Sequence, residues 1–238
     1  MLFRSINLLF WKRPYIENHR WLPEEGASIW VIEKESGKLK ARFETDPFFC
    51  FHHINAWEEG EELIMDLDAY DDASIISHYY LKELEKPGVR LPKGTLRRFR
   101  LNLRNKKSQA ETLSDACIEL PRIDYNRFNT DGRYGFTYGV SLHPEQPNGF
   151  YNSIVKINVR NGKATYWHEE GCYPGEPCFI PAPESRHDAD GLLMSIVLDT
   201  KQQRSFLLLL NADTLEEMAR ATVPEPVLYG FHGDFFAA

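Results

Sequence analysis

Phe51-His52-His53-Ile54-Asn55-Ala56-Trp57-Glu58 is one of four stretches in which a short strand, following a β-hairpin, carries a single His or Glu. The others are Ala116-Cys117-Ile118-Glu119-Leu120-Pro121, Gly175-Glu176-Pro177-Cys178-Phe179-Ile180-Pro181 and Tyr229-Gly230-Phe231-His232-Gly233. From His52 to Glu119 is 67 residues, from Glu119 to Glu176 is 57, and from Glu176 to His232 is 56. Short strands recurring at such an interval are the sequence form of a β-propeller. Equivalent positions on successive blades face one central axis, so the pattern aims two His and two Glu at a common centre. The expected fold is all-β, a β-propeller in one domain over residues 1–238.

Turn chemistry and alternation support strands nearly throughout. Residues 28–34 and 39–45 flank Glu35-Ser36-Gly37-Lys38, and 154–159 and 164–168 flank Arg160-Asn161-Gly162-Lys163, whose Asn-Gly is a strong hairpin signal. Residues 206–210 and 219–223 flank Asn211-Ala212-Asp213-Thr214. Phe99, Leu101 and Leu103 alternate with Arg98, Arg100 and Asn102, which predicts a half-exposed outer strand. One helix is expected, capped by Asp71 or Asp72 and running to about Glu85, with Ile76, Tyr80 and Leu84 on one face and Pro87-Gly88 ending it. Such a helix is an insertion at one end of the propeller.

The net charge of −7 and the absence of a basic run exclude an ordinary nucleic-acid binder. Cys50, Cys117, Cys172 and Cys178 show no C-x-x-C spacing, and reduced thiols in a cytoplasmic protein are expected. No apolar run is long enough to span a bilayer, and no secretory cleavage signal follows the start. Residues 1–13 are strongly apolar with only basic charges. The opening twenty residues read equally well as a membrane-facing interfacial segment or as ordinary core.

His52 and His232 are the candidate metal ligands. Neutral imidazole suits Fe, Zn, Cu or Ni, and a ligating His commonly gives its other ring N–H to a carboxylate. Blade adjacency pairs His52 with Glu119 and His232 with Glu176. His53 points to the opposite strand face and is expected to pack or hydrogen-bond. His19, His78, His143, His168 and His187 are expected in solvent, and Cys50 and Cys117 as buried filler. Phe51 and Phe231, each preceding a candidate His, are candidates for an apolar tunnel wall or for core.

At these residues, together with Asp188-Ala189-Asp190-Gly191-Leu192-Leu193, the chain resembles the carotenoid oxygenases, which include carotenoid cleavage dioxygenases and the retinal pigment epithelial membrane protein. The resemblance implies a seven-bladed propeller with non-haem Fe(II) on its axis, held by four His, three of them oriented by Glu. It implies that O₂ adds across a double bond of a carotenoid or apocarotenoid in an apolar tunnel, giving carbonyl products. By motif match, His52 and His232 are two iron ligands, and Glu119 and Glu176 the carboxylates that orient them. The apolar start falls where the family carries a patch that docks on a membrane surface, so a peripheral membrane location accompanies the cytoplasmic one.

The family is about twice as long, and the regions holding its first two His ligands and third Glu are not in this sequence. Roughly four blades of seven are expected. One reading is the C-terminal portion of an iron-dependent dioxygenase that needs an N-terminal half and is inactive alone. The other is a degenerate half-propeller that binds lipid or protein without iron.

Overall fold

The computed structural model describes residues 14–185 and 187–236. Four antiparallel sheets follow one another along the chain. The first pairs β1 (Ala27–Ile32) with β2 (Leu39–Thr45). The second contains β3 (His53–Glu59), β4 (Glu62–Ala69), β5 (Thr95–Asn102) and β6 (Ser108–Cys117), paired in that order. The third contains β7 (Glu119–Arg122), β8 (Phe136–Ser141), β9 (Ser153–Asn158) and β10 (Ala164–His168), again in sequence order. In the fourth, β11 (Cys172–Pro174) and β12 (Cys178–Pro181) both pair with β13 (Gly191–Asp199), followed by β14 (Arg204–Asn211) and β15 (Glu217–Val223).

One turn closes the outer hairpin of every sheet. The N–H of Gly37, Lys106, Gly162 and Leu215 bonds the carbonyl four residues earlier, at Glu33, Asn102, Asn158 and Asn211 respectively. The bonding residue takes the left-handed conformation each time, with φ from 60° to 70°. In the last three turns the Asn side chain accepts the N–H groups two and three residues ahead. Asn suits this place because its short amide mimics a backbone turn.

The sheets stack face to face. Phe43 and Ala41 of the first meet Met65, Leu67, Phe99 and Leu101 of the second. Ile54, Trp57, Ile64 and Leu96 of the second meet Val155 and Ile157 of the third and Ile118, which links the two. Tyr138, Ile154 and Trp167 of the third meet Leu193, Val197, Phe206 and Leu208 of the fourth. The second and third sheets are thus buried on both sides by their neighbours, as propeller blades are. Full burial of one such side chain contributes about 1.5–3 kcal/mol, so the hydrophobic effect fixes blade order.

Several expectations need correction. The expected helix breaks into α1 (Ser74–His78) and α2 (Leu81–Leu84), because Tyr80 is extended (ψ 134°). Ala73, not Asp71 or Asp72, is the N-cap of the first piece, and Asp72 one residue earlier accepts the Ser74 N–H on its Oδ1 at 2.7 Å. A further short helix, α3 (Tyr125–Phe128), is capped by Asp124. β5 is not an outer strand: β4 and β6 flank it, with Phe99 and Leu101 buried. Of the four motif residues only Glu119 lies within a strand; His52 precedes β3, Glu176 links β11 to β12, and residues 224–236 form no strand. Residues 1–13 of the proposed membrane-facing segment lie outside the described residues. Among those described, no helix is long and apolar enough to cross a membrane.

Candidate metal centre

The β3–β4 hairpin places His52. Its N–H donates to Asp68 Oδ1 at 2.8 Å, and its carbonyl accepts the Asp68 N–H at 3.3 Å. A register shift between His53 and Asn55 turns the chain as it enters the sheet. His52 Nδ1 then meets Glu119 Oε1 of the next blade in a short hydrogen bond.

Glu119 is almost fully buried. Its Oε1 also accepts the Leu120 N–H at 3.0 Å, and its Oε2 accepts the Tyr70 hydroxyl. Burial pushes this carboxyl up, but the donors from His52, Asp68, Tyr70 and Leu120 outweigh it and hold it below the ordinary glutamate value. Asp68 goes the other way. Burial, then the charge of Glu119, raises it well above the aspartate range. A hydroxyl chain continues from Glu119 through Tyr70 to Tyr151 (3.3 Å) and Tyr79 (2.7 Å).

The second pair is built differently. Glu176 Oε1 lies 3.3 Å from His232 Nδ1, and its Oε2 accepts the Gly233 N–H at 2.9 Å. Arg122 grips the same carboxylate, Nε to Oε1 at 3.0 Å and Nη2 to Oε2 at 3.1 Å. Half of the His232 side chain is exposed, against 23% for His52.

The two imidazoles converge, with centroids 5.3 Å apart and planes at 80°. Each Nδ1 faces a carboxylate, which places the proton there and leaves Nε2 as a lone-pair donor. Two such nitrogens on facing rings suit a borderline transition metal. His52, Asp68 and Glu119 also cluster, but they do not hold an ion among themselves. A metal between N and O takes about 2 Å to each, whereas His52 Nδ1 and Glu119 Oε1 already touch through a proton. Cys50 and Cys117 are poor ligands as well, since burial pushes both thiols up to about 11.

A cavity of 370 Å³ opens beside His52, lined by Phe51, Leu84, Val140, Phe150, Tyr229 and Phe231 among others. Phe51 stacks on Tyr79 at 5.7 Å and Phe231 lies against His232 at 4.4 Å, so both expected aromatics reach this wall. The remaining His expectations fare unevenly. His53 is exposed rather than packed. His143 and His168 are not free in solvent but stack at 4.5 Å, with His168 Nδ1 bonded to the Asn152 carbonyl. Asp68, Tyr70 and Arg122 join the site without a motif in the sequence to mark them.

A family model described as retinal pigment epithelial membrane protein matches residues 2–237. The human mitochondrial carotenoid-cleaving dioxygenase is 32% identical over 90% of this chain and 44% of its own length. The carotenoid isomerooxygenase of Galleria mellonella is 32% identical over 93% and 45%, and human beta,beta-carotene 15,15'-dioxygenase 30% over 97% and 48%. The chain therefore spans about half the length of the curated relatives it matches. Among solved structures, cobalt-substituted Synechocystis ACO superposes with a TM-score of 0.82 at 23% identity, covering 92% of this chain and 46% of that one. A chimera of ACO with RPE65 superposes at 0.85 and 23%, covering 98% and 48%. These likenesses show the propeller-type fold.

Proposed function

Because the chain belongs to the retinal pigment epithelial membrane protein family, we propose that it forms part of the iron centre and substrate cavity of a carotenoid or apocarotenoid dioxygenase. The observation that carries this reading is the pair His52 and His232, 5.3 Å apart, each with Nδ1 on a buried carboxylate. Iron would be held by the two Nε2 atoms, with Glu119 and Glu176 fixing ring tautomer and orientation. When bound, iron supplies the activation of O₂ that no side chain here provides.

The chain's own residues do the rest. Phe51, Leu84, Val140, Phe150 and Phe231 present an apolar wall to a polyene next to His52. Burial of that hydrocarbon drives binding and excludes water from the reacting double bond. Cleavage inserts both oxygen atoms across the double bond, giving two carbonyl products. Such a substrate resides in lipid, so contact with a membrane surface is part of the proposal.

Co(II) is the probe of choice, since a structural neighbour is itself cobalt-substituted. The chain should bind Co(II) weakly, because it offers two imidazoles. His52→Ala and His232→Ala should each weaken binding at least tenfold, and His53→Ala should leave it unchanged. Equal binding by all four proteins would overturn the metal reading and favour a lipid- or protein-binding module without iron.

A further inference from the structure

Strand β7 carries two of the residues that surround the candidate metal centre, Glu119 and Arg122, three positions apart. In a regular strand, residues three apart point to opposite faces. Here the register breaks. Glu119 stands opposite Val140 and Arg122 opposite Tyr138, so three steps on β7 match two on β8. That extra residue is a β-bulge, and Leu120 within it takes φ +48°. A buried Leu in the left-handed region costs about 1–2 kcal/mol. Since Val140 and Tyr138 share one face of β8, the bulge turns Glu119 and Arg122 to one side of the sheet. β7 is the edge strand of its sheet, and Pro121 sits there without breaking a ladder bond.

The consequence lies in the segment bearing His232. Residues 224–236 form no strand, and Phe231 and Phe236 are largely exposed. The polar attachments that hold this segment are few. Ser205 Oγ bonds both the N–H and the carbonyl of Val227, and Cys178 Sγ approaches Asp234 at 3.6 Å. Next to His232 itself, the attachments are Glu176 and Arg122. Glu176 accepts the Gly233 N–H, and Arg122 Nη2 donates to the Gly233 carbonyl while the guanidinium grips Glu176.

We infer that Arg122 is a positioning residue that seats His232, and that the β7 bulge lets one strand hold both histidines, His52 through Glu119 and His232 through Arg122 and Glu176. This deepens the metal reading above and rests on it. Arg fits the task because its planar guanidinium donates from Nη2 to both Glu176 Oε2 and the Gly233 carbonyl while Nε stays 3.0 Å from Glu176 Oε1. Lys offers one compact charge without that planar reach to both partners.

The test uses the metal-free chain first. In Arg122→Gln, hydrogen exchange at the Gly233 amide and across residues 229–236 should accelerate at least tenfold, while β5 and β6 keep their protection, showing that the fold persists. Co(II) affinity should then fall about 10–100-fold, the usual effect of losing an orienting partner. Arg122→Lys should recover only part of both losses. Glu119→Gln should weaken Co(II) binding without altering Gly233 exchange. Unchanged Gly233 exchange in Arg122→Gln overturns the inference, as does full recovery by Lys. If exchange accelerates but His232→Ala binds Co(II) like the unmodified chain, the seating role stands and the metal reading fails.

Discussion

Replacing Tyr70 with Phe isolates the support beneath the His52–Glu119 pair. The substitution deletes one oxygen and keeps the ring, which is 1% exposed. Glu119 Oε2 then loses the Tyr70 hydroxyl, the O–H donor it has there. A hydrogen bond to a buried charged group contributes about 1.5–3 kcal/mol. Tyr151 keeps Tyr79 at 2.7 Å and adds little to the loss. For a chain of this size each kcal/mol moves the melting midpoint by about 2–4 °C, so Tm should drop by roughly 3–12 °C near pH 7. The pH dependence has a definite sign. Burial alone raises Glu119, but its donors hold it below the ordinary value. Its contribution is therefore complete above the unfolded value and is lost as pH falls through the folded one. Without Tyr70 the folded value rises, so the variant's acid limb starts at higher pH, and the gap closes once both proteins are protonated. Thermal melts of the metal-free proteins from pH 3 to 8 measure this. A Tm within about 1 °C of the unmodified chain at pH 7, or a gap that widens in acid, would refute the reasoning.

Asp68→Asn tests the neighbouring carboxyl. Asp68 is raised by burial and then by Glu119, so it costs stability progressively as pH climbs above the unfolded value; the variant lacks this cost and keeps an acceptor for the His52 N–H. Its stability relative to the unmodified chain should rise by about 1.4 kcal/mol per pH unit above pH ~4 until the folded value is passed; urea unfolding showing equal gaps at pH 4 and pH 6 would sink the idea. Gly139→Ala probes the β7–β8 contact, because a Cβ there would lie 2.6 Å from the Glu119 carbonyl oxygen and 2.7 Å from Ile118 Cγ1. Backbone cannot yield cheaply, so a loss of about 1–3 kcal/mol is expected in the same assay, and a change below about 0.5 kcal/mol would contradict the tight packing.

What could be read from residue order was whatever repeats. The hairpins over residues 28–45 and 154–168 form where turn chemistry puts them, and the His and Glu positions recur because each blade starts near the axis. The pairings His52 with Glu119 and His232 with Glu176 follow from blade adjacency alone. The expected helix failed at Tyr80 because apolar spacing at 76, 80 and 84 is blind to a local extended residue. Asp68 was hidden for a different reason: its role depends on a hairpin register containing a bulge. Arg122 was hidden by alternation itself, since strict period-two reading sends it away from Glu119, and only the Leu120 bulge reverses that.

The two pairs consequently differ in chemistry despite their similar spacing. Glu119 is deep, faces a neutral hydroxyl and carries its full charge toward His52. Glu176 shares its charge with a guanidinium, and the His232 it faces is half exposed. His52 is therefore the more enclosed and the better fixed of the two, and His232 the more exposed. The first histidine is thus anchored by blade packing and the second by Glu176 and Arg122. Loss of Arg122 would loosen only the second, whereas disruption at Tyr70 or Asp68 would act on the first from within the fold's interior.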